Sequence, residues 1–351
     1  MIFKQNFKRL AGFTLVFAMA FSLISQAVGE TPTAESESDE KSFIKWVDFN
    51  VTATAMKKAM DFDIESYNNP DTLRINWIEL LAYLGKKYGG DFSKYKEQDM
   101  IELVEKLREG ASILELVEGK GEKYYLYYLE AYSAVLSGFV GEFETEVDIG
   151  GEKVWKKRYG LKVFSPIAKG FHYNDYDDFG AGRNYGYKRV HLGHDLMASV
   201  GTPVVCVESG VVEVLGWNRY GGWRIGIRSF DGMRYYFYAH LRKDRPYAEG
   251  LGEGNIVMAG DVIGYVGRSG YSAKENVNGI EQSHLHYGMQ LIFDESQKEG
   301  NNEIWIDLYE ITKFLSSSRS ETFRDDETKE RYRVYGFREE VPENRFVPSE
   351  A

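Results

Sequence analysis

The chain has 351 residues, enough for two domains at roughly 100–200 residues each, and its 43% hydrophobic and 28% charged content supports a buried core and excludes general disorder. Forty-three Lys and Arg against 54 Asp and Glu leave a formal charge of −11, which excludes a nucleic-acid partner, because phosphate-backbone affinity rests on basic side chains displacing counterions. A single cysteine, Cys206, excludes an intrachain disulfide framework and a Cys-rich zinc site.

The first feature along the chain is an export signal. Lys4, Lys8 and Arg9 precede an uncharged, largely apolar run, Leu10–Ile24, which leads into Ser25-Gln26-Ala27 with small residues in the cleavage positions. This order predicts a signal peptide over 1–27, cut after Ala27. The uncharged stretch continues to Gly29, so an uncleaved anchor over 10–29 is the alternative, since about 20 residues cross a bilayer. Membrane contact is expected only in that case. Either way the remainder is extracytoplasmic, secreted or wall-associated. Residues 28–42 are small, polar and acidic, which predicts a solvated linker.

From Phe43 the pattern is helical. Asn76-Trp77-Ile78-Glu79 and Asp99-Met100-Ile101-Glu102 both read as capping boxes, an N-cap acceptor followed three residues later by Glu. Apolar residues follow at three- and four-residue spacing, Ile78, Leu81 and Ala82 after the first, Leu103 and Leu107 and later Ile113 and Leu116 after the second. A third helix is predicted over Tyr124–Leu136. Residues 43–145 are therefore expected to form a small all-helical domain, whose partner the sequence leaves unknown.

Around Glu142 glycine and β-branched residues become frequent, and strands are predicted over Val204–Val207, Val211–Leu215, Trp223–Arg228, Arg234–Ala239, Val262–Val266 and His284–Phe293. Asp231-Gly232 marks a hairpin turn. Glu303–Ser316 reads as a closing helix, and 317–351 as a charged, solvated tail. The expected class is α+β and multidomain, with the helical domain followed by a β-rich, mainly antiparallel domain over 146–316.

Five of the six histidines fall between His191 and His286. In a strand, His284 and His286 face one side while Leu285 faces the other, and paired imidazoles on a sheet surface are a natural start for a zinc site. His191-Leu192-Gly193-His194-Asp195 adds an imidazole and a carboxylate four residues apart. A straight strand would hold these about 13 Å apart, so the chain must bend at Gly193–His194, where glycine supplies the freedom, if they are to share one ion. Tyr238-Ala239-His240-Leu241 ends a further strand with one more histidine.

Taken together, HLGHD (191–195), YAHL (238–241) and HLH (284–286) resemble, in order and kind, the motifs of the lysostaphin-like (LytM-type) zinc endopeptidases, which cut peptidoglycan peptides. DFGAGR (178–183), GTPVVCVESGVVEVLG (201–216) and AGDVIGYVGRSG (259–270) extend the resemblance to roughly residues 160–315; the helical region does not belong to it. The resemblance implies a LytM-type peptidase domain with one zinc held by His191, Asp195 and His286, a two-His, one-carboxylate set that leaves a position open for water. It gives His240 and His284 catalytic roles as non-ligands, orienting or deprotonating the water and stabilising the oxyanion. The implied reaction is hydrolysis of peptide bonds in peptidoglycan stems or cross-bridges by a zinc-activated water.

Other residues carry less. His194 is read as flanking, His172 as a surface residue, Arg183 as structural and Cys206 as a buried, inert thiol, while Tyr185, Tyr187 and Tyr271 could line the groove. The competing reading is an inactive scaffold of the same fold that binds wall or a partner protein. A muramidase-like acid at Glu79 finds little support, because the capping box already accounts for that residue and glycoside cleavage usually needs a second carboxylate.

Overall fold

A computed structural model of the chain describes residues 47–184, 188–298 and 302–348, without the side chains of 184–189. The predicted signal peptide, the predicted linker, Tyr185 and Tyr187 lie outside the described residues. The described residues form one compact unit. No helix among the described residues is long and apolar enough to cross a membrane.

Five helices come first: α1 (Ala53–Asn68), α2 (Trp77–Tyr88), α3 (Glu97–Arg108), α4 (Ile113–Leu116) and α5 (Lys120–Leu136). Helix α2 starts where the cap predicts: Asn76 Oδ1 accepts from the amides of Ile78 (2.8 Å) and Glu79 (3.4 Å). The second predicted cap is displaced. Helix α3 begins at Glu97, and Asp99 lies in its first turn, where it accepts from Tyr88 Oη at 2.6 Å and pairs with Lys87 at 2.9 Å. A carboxylate occupied by α2 is not available to cap α3. In this helical region a reciprocal capping box forms instead at Ser112–Glu115, which starts α4 and breaks the apolar pattern that would otherwise join Leu107 to Ile113.

The strands are β1 (Val140–Ile149), β2 (Glu152–Leu161), β3 (Asn174–Asp175), β4 (Gly182–Asn184), β5 (Lys188–Val190), β6 (His194–Met197), β7 (Pro203–Val205), β8 (Gly210–Asn218), β9 (Gly222–Ser229), β10 (Arg234–Ala239), β11 (Ile256–Val257), β12 (Val262–Tyr265), β13 (His284–Leu291) and β14 (Ile304–Trp305), then helix α6 (Tyr309–Leu315), and last β15 (Thr322–Arg324), β16 (Arg331–Arg333) and β17 (Phe337–Arg338). Eight of them form the main sheet, in the order β11-β8-β9-β10-β13-β6-β3 with β14 also on β13, and these neighbours pair antiparallel. The α+β class, helices first and then a β-rich region, is the one expected.

Two expectations need correction. The closing helix begins at Tyr309 rather than Glu303, because Ile304 and Trp305 pair with Leu291 and Gln290 as an edge strand. The stretch from Arg319 is not left in solvent. Strand β17 pairs with β1, and Phe337 is buried against Phe143 (5.2 Å between ring centroids) and Phe164 (5.7 Å). Arg333 pairs with Asp261 at 3.1 Å, so charges that composition assigns to water are used in contacts.

One hydrophobic cluster runs from the helices (Met56, Leu81, Tyr132) into the sheet (Tyr236, Leu285, Met289). A buried ion cluster lies at the same junction. Arg234 on β10 is 1% exposed; it donates to both Glu208 oxygens (2.8 and 2.9 Å), to Asp231 (2.8 Å), and to the Ala134 carbonyl and Ser137 Oγ at the end of α5 (3.0 Å each). Burial opposes its charge, but Glu208 and Asp231 outweigh burial and raise its pKa. Gly138 makes room for the cluster: a Cβ there would meet Glu208 Oε1 at 1.8 Å.

Candidate metal centre and groove

Strands β6 and β13 place the centre. Asp195 and His286 are directly opposed in the ladder, so their side chains leave the same face, and Asp195 Oδ1 lies 2.8 Å from His286 Nδ1. His284, two residues from His286 along β13, shares the face, while Leu285 is fully buried on the other.

His191 arrives from the preceding loop. Its amide donates to the Ala181 carbonyl (2.9 Å), and its own carbonyl accepts from Gly180 (2.8 Å). The bend before β6 then brings His191 Nε2 to 3.1 Å from Asp195 Oδ1 and 3.2 Å from His286 Nδ1. Gly193 serves this bend through space rather than through an unusual dihedral, since its φ is outside the left-handed range. A Cβ there would lie 2.5 Å from His286 Cε1. Three lone-pair atoms thus converge, one from each of His191, Asp195 and His286, a group that could hold a metal ion.

The remaining polar atoms fix the tautomers. His191 Nδ1 faces Asp178 Oδ1 at 3.1 Å, so it donates there and leaves Nε2 to coordinate. Arg183 bridges Asp178 Oδ2 (2.5 Å) and Asp195 Oδ2 (3.0 Å), orienting both carboxylates. Burial works against charge on Asp195, yet hydrogen bonds from His191 and His286 hold its pKa well below the carboxylate range. Burial lowers His191, but its hydrogen bond to Asp195 and the nearby charges of Asp195 and Asp178 outweigh this and raise its pKa. Burial prevails at His286 and lowers it.

His240 and His284 stand beside this trio, with ring centroids 4.8 Å apart; His240 is 5.8 Å from His286. His240 Nδ1 donates to the Ser269 carbonyl (3.0 Å) and His284 Nδ1 to the Gln282 carbonyl (2.9 Å), so both keep Nε2 as an acceptor. His284 Nε2 is 3.8 Å from Asp195 Oδ1. His240 adopts φ 62°, an uncommon conformation for a non-glycine residue, held by its amide bond to the Gly221 carbonyl (2.7 Å). Burial and the neighbouring His284 and His286 push its pKa well below the usual imidazole value, which keeps it neutral.

These five residues line a groove of about 380 Å³ with Tyr271, Phe237 and Trp305 among its walls. Tyr271 stacks on His240 at 5.7 Å. His194 points away: it is 1% exposed, bonded to Asp175 (3.1 Å) and packed on Tyr309. His172 is exposed and bonds Asn174, Glu79 lies in the first turn of α2 away from the groove lining, and Cys206 is fully buried with its pKa raised by burial. Sequence reading gave no role to Asp178, Phe237, Trp305 or Arg224. Strand alternation from Ala239 puts Phe237 on the groove face, and DFGAGR already contained Asp178.

Fold and site point to one class: residues 189–299, about a third of the chain, match the family model described as Peptidase family M23. Among individual relatives, an L-Ala--D-Glu endopeptidase of Bacillus subtilis (strain 168) is 44% identical over 124 residues, 35% of this chain and 36% of that protein. Lysostaphin of Staphylococcus simulans is 35% identical over 120 residues, 34% of this chain and 20% of that protein. The match thus spans little more than a third of the first relative's length and a fifth of the second's. The crystal structure of lytM from Ruminococcus gnavus ATCC 29149 is 26% identical and covers 77% of this chain and 89% of that one, with a TM-score of 0.49.

Proposed function

We propose that the protein is an exported zinc endopeptidase that hydrolyses peptide bonds in peptidoglycan stems or cross-bridges. The observation that carries this reading is the convergence of His191 Nε2, Asp195 Oδ1 and His286 Nδ1, 2.8–3.2 Å apart, at the floor of an open groove. The donor set fits zinc, being two imidazole nitrogens and one ionised carboxylate whose partners already fix their orientation. Bound there, zinc supplies Lewis acidity toward water and the scissile carbonyl.

The chain's own residues supply the rest. His284 and His240 each anchor Nδ1 on a backbone carbonyl and turn Nε2 to the site, so either can exchange a proton with the attacking water. Once protonated, it can donate to the oxyanion or the leaving amine. Depression of the His240 pKa keeps that acceptor available at neutral pH. Asp178 and Arg183 hold His191 and Asp195 in place. The substrate and extracytoplasmic site accord with the named activities of the M23 relatives and with the predicted signal over 1–27.

The test is zinc content and peptidoglycan digestion by the purified protein, with His286→Ala and His240→Ala beside it. Expected are one zinc per chain and new amino termini by mass spectrometry. His286→Ala should lose both zinc and activity, and His240→Ala should keep zinc and lose about 10²–10⁴-fold in turnover. Folded wild type that takes zinc but cuts nothing would favour the scaffold reading.

A further inference from the structure

The groove floor crosses three strands. Ala239 on β10 opposes His286 on β13, and Tyr238 opposes Ile225 on β9, so the next rung sets Arg224 beside Ala239. Directly opposed residues share a face, so His286, Ala239 and Arg224 form one row across the sheet, with Arg224 about 10 Å from His286 at two strand spacings. The side chain between them in that row is the Ala239 methyl.

Three cationic side chains line the groove, and two are occupied. Arg183 serves Asp178 and Asp195. Lys298 pairs with Glu213 at 2.5 Å and lies over the Tyr235 ring. Among the groove acids, Asp195 is held by the histidines and Glu303 accepts from Trp305 Nε1 at 3.0 Å. Arg224 has no ion pair with any described residue, and its Nε is buried without a hydrogen-bond partner. A half-buried guanidinium in this state lacks an acceptor it would be costly to do without, and its planar fork matches a carboxylate in bidentate fashion. A mid-chain stretch of peptide with neutral side chains offers it only carbonyls.

We infer that Arg224 is the anion subsite of this groove, selecting peptides with a free carboxylate within about three residues of the bond to be cut. The inference rests on the peptidase reading and adds a substrate class to it. The carboxylate is that of an acidic residue or that of the peptide's own terminus, and both present the same two oxygens. Arg224 touches substrate away from the reacting atoms, so it governs KM more than kcat.

The test uses the full-length protein in zinc-containing buffer with three peptides: L-Ala-D-Glu-L-Lys-D-Ala, the same peptide with the glutamyl carboxylate as carboxamide, and the same peptide with the C-terminus as carboxamide. Wild type, Arg224→Gln and Arg224→Lys are titrated calorimetrically, with product analysis by mass spectrometry on the same samples; kcat/KM is read where cleavage occurs and Kd where it does not. One of the two amidations should weaken wild type about tenfold and name the carboxylate, with Arg224→Gln indifferent within about twofold and Arg224→Lys in between. Wild type indifferent to both amidations, or Arg224→Gln discriminating as wild type does, overturns the subsite. Discrimination without cleavage of these peptides or of peptidoglycan overturns the peptidase reading and leaves the subsite standing.

Discussion

Gly193 and the His286 ring are in such close contact that the space a Cβ at 193 would occupy is already filled by the imidazole. The loop that delivers His191 and the strand that delivers His286 therefore fit together only with glycine at this position. The centre depends on a missing side chain as much as on the ones present.

Gly193→Ala should accordingly displace the His286 ring while leaving the fold in place. Metal analysis after dialysis should show zinc lost or bound at least about tenfold more weakly, with near-native circular dichroism. Zinc retained at wild-type affinity would contradict the packing argument.

Asp178 touches the metal group only through His191 Nδ1 and Arg183. Asp178→Asn keeps the shape but weakens the grip on the imidazole, and zinc affinity measured by chelator competition should fall about 10–100-fold. Unchanged affinity would show that the backbone bonds of His191 suffice to orient it.

His240 couples stability to pH. Its folded pKa is depressed below the unfolded value of about 6.5, so below that pH the unfolded chain binds a proton that the folded chain refuses. Stability should fall as pH drops from about 6.5 toward the folded pKa, by up to about 1.4 kcal/mol per pH unit for this one group. Urea unfolding of wild type and His240→Gln at pH 7.5, 6.5 and 5.5 should show a shallower loss in the variant. Parallel curves would remove His240 as the source.

How far the sequence led depended on whether a feature is local. The alternation of His284, Leu285 and His286 is a property of one strand, and the Asn76 cap is a property of one helix start; both are readable in a few residues. Asp99 looks like a cap in its own window but is claimed by Tyr88 and Lys87, which belong to the preceding helix. Ile304 and Trp305 look helical until β13 offers them a ladder, and Phe337 looks like tail until Phe143 and Phe164 cover it. Arg224 had no signal of its own, because its place in the groove depends on the register of β9 against β10 and β13. Motif resemblance reached the histidines, since their order along the chain is itself the pattern.

Arg234→Ala would leave Glu208 buried without its counter-charge, at a cost of about 3–5 kcal/mol. Urea denaturation should register this as a lower midpoint. A loss below about 1 kcal/mol would mean that Tyr236, which donates to Glu208 at 2.6 Å, carries the carboxylate by itself.

The same arginine bears on portability. Strand β10 begins at Arg234, in the grip of the last turn of α5, and leads directly into His240 at the groove. A chimera that transplants residues 189–299 alone would carry all three histidine motifs and still sever that mooring. It would strip Arg234 of the Ala134 carbonyl and Ser137 and uncover the hydrophobic cluster beneath them. Grafts meant to retarget such an enzyme should therefore be joined upstream of α1, so that the helices travel with the strands they hold.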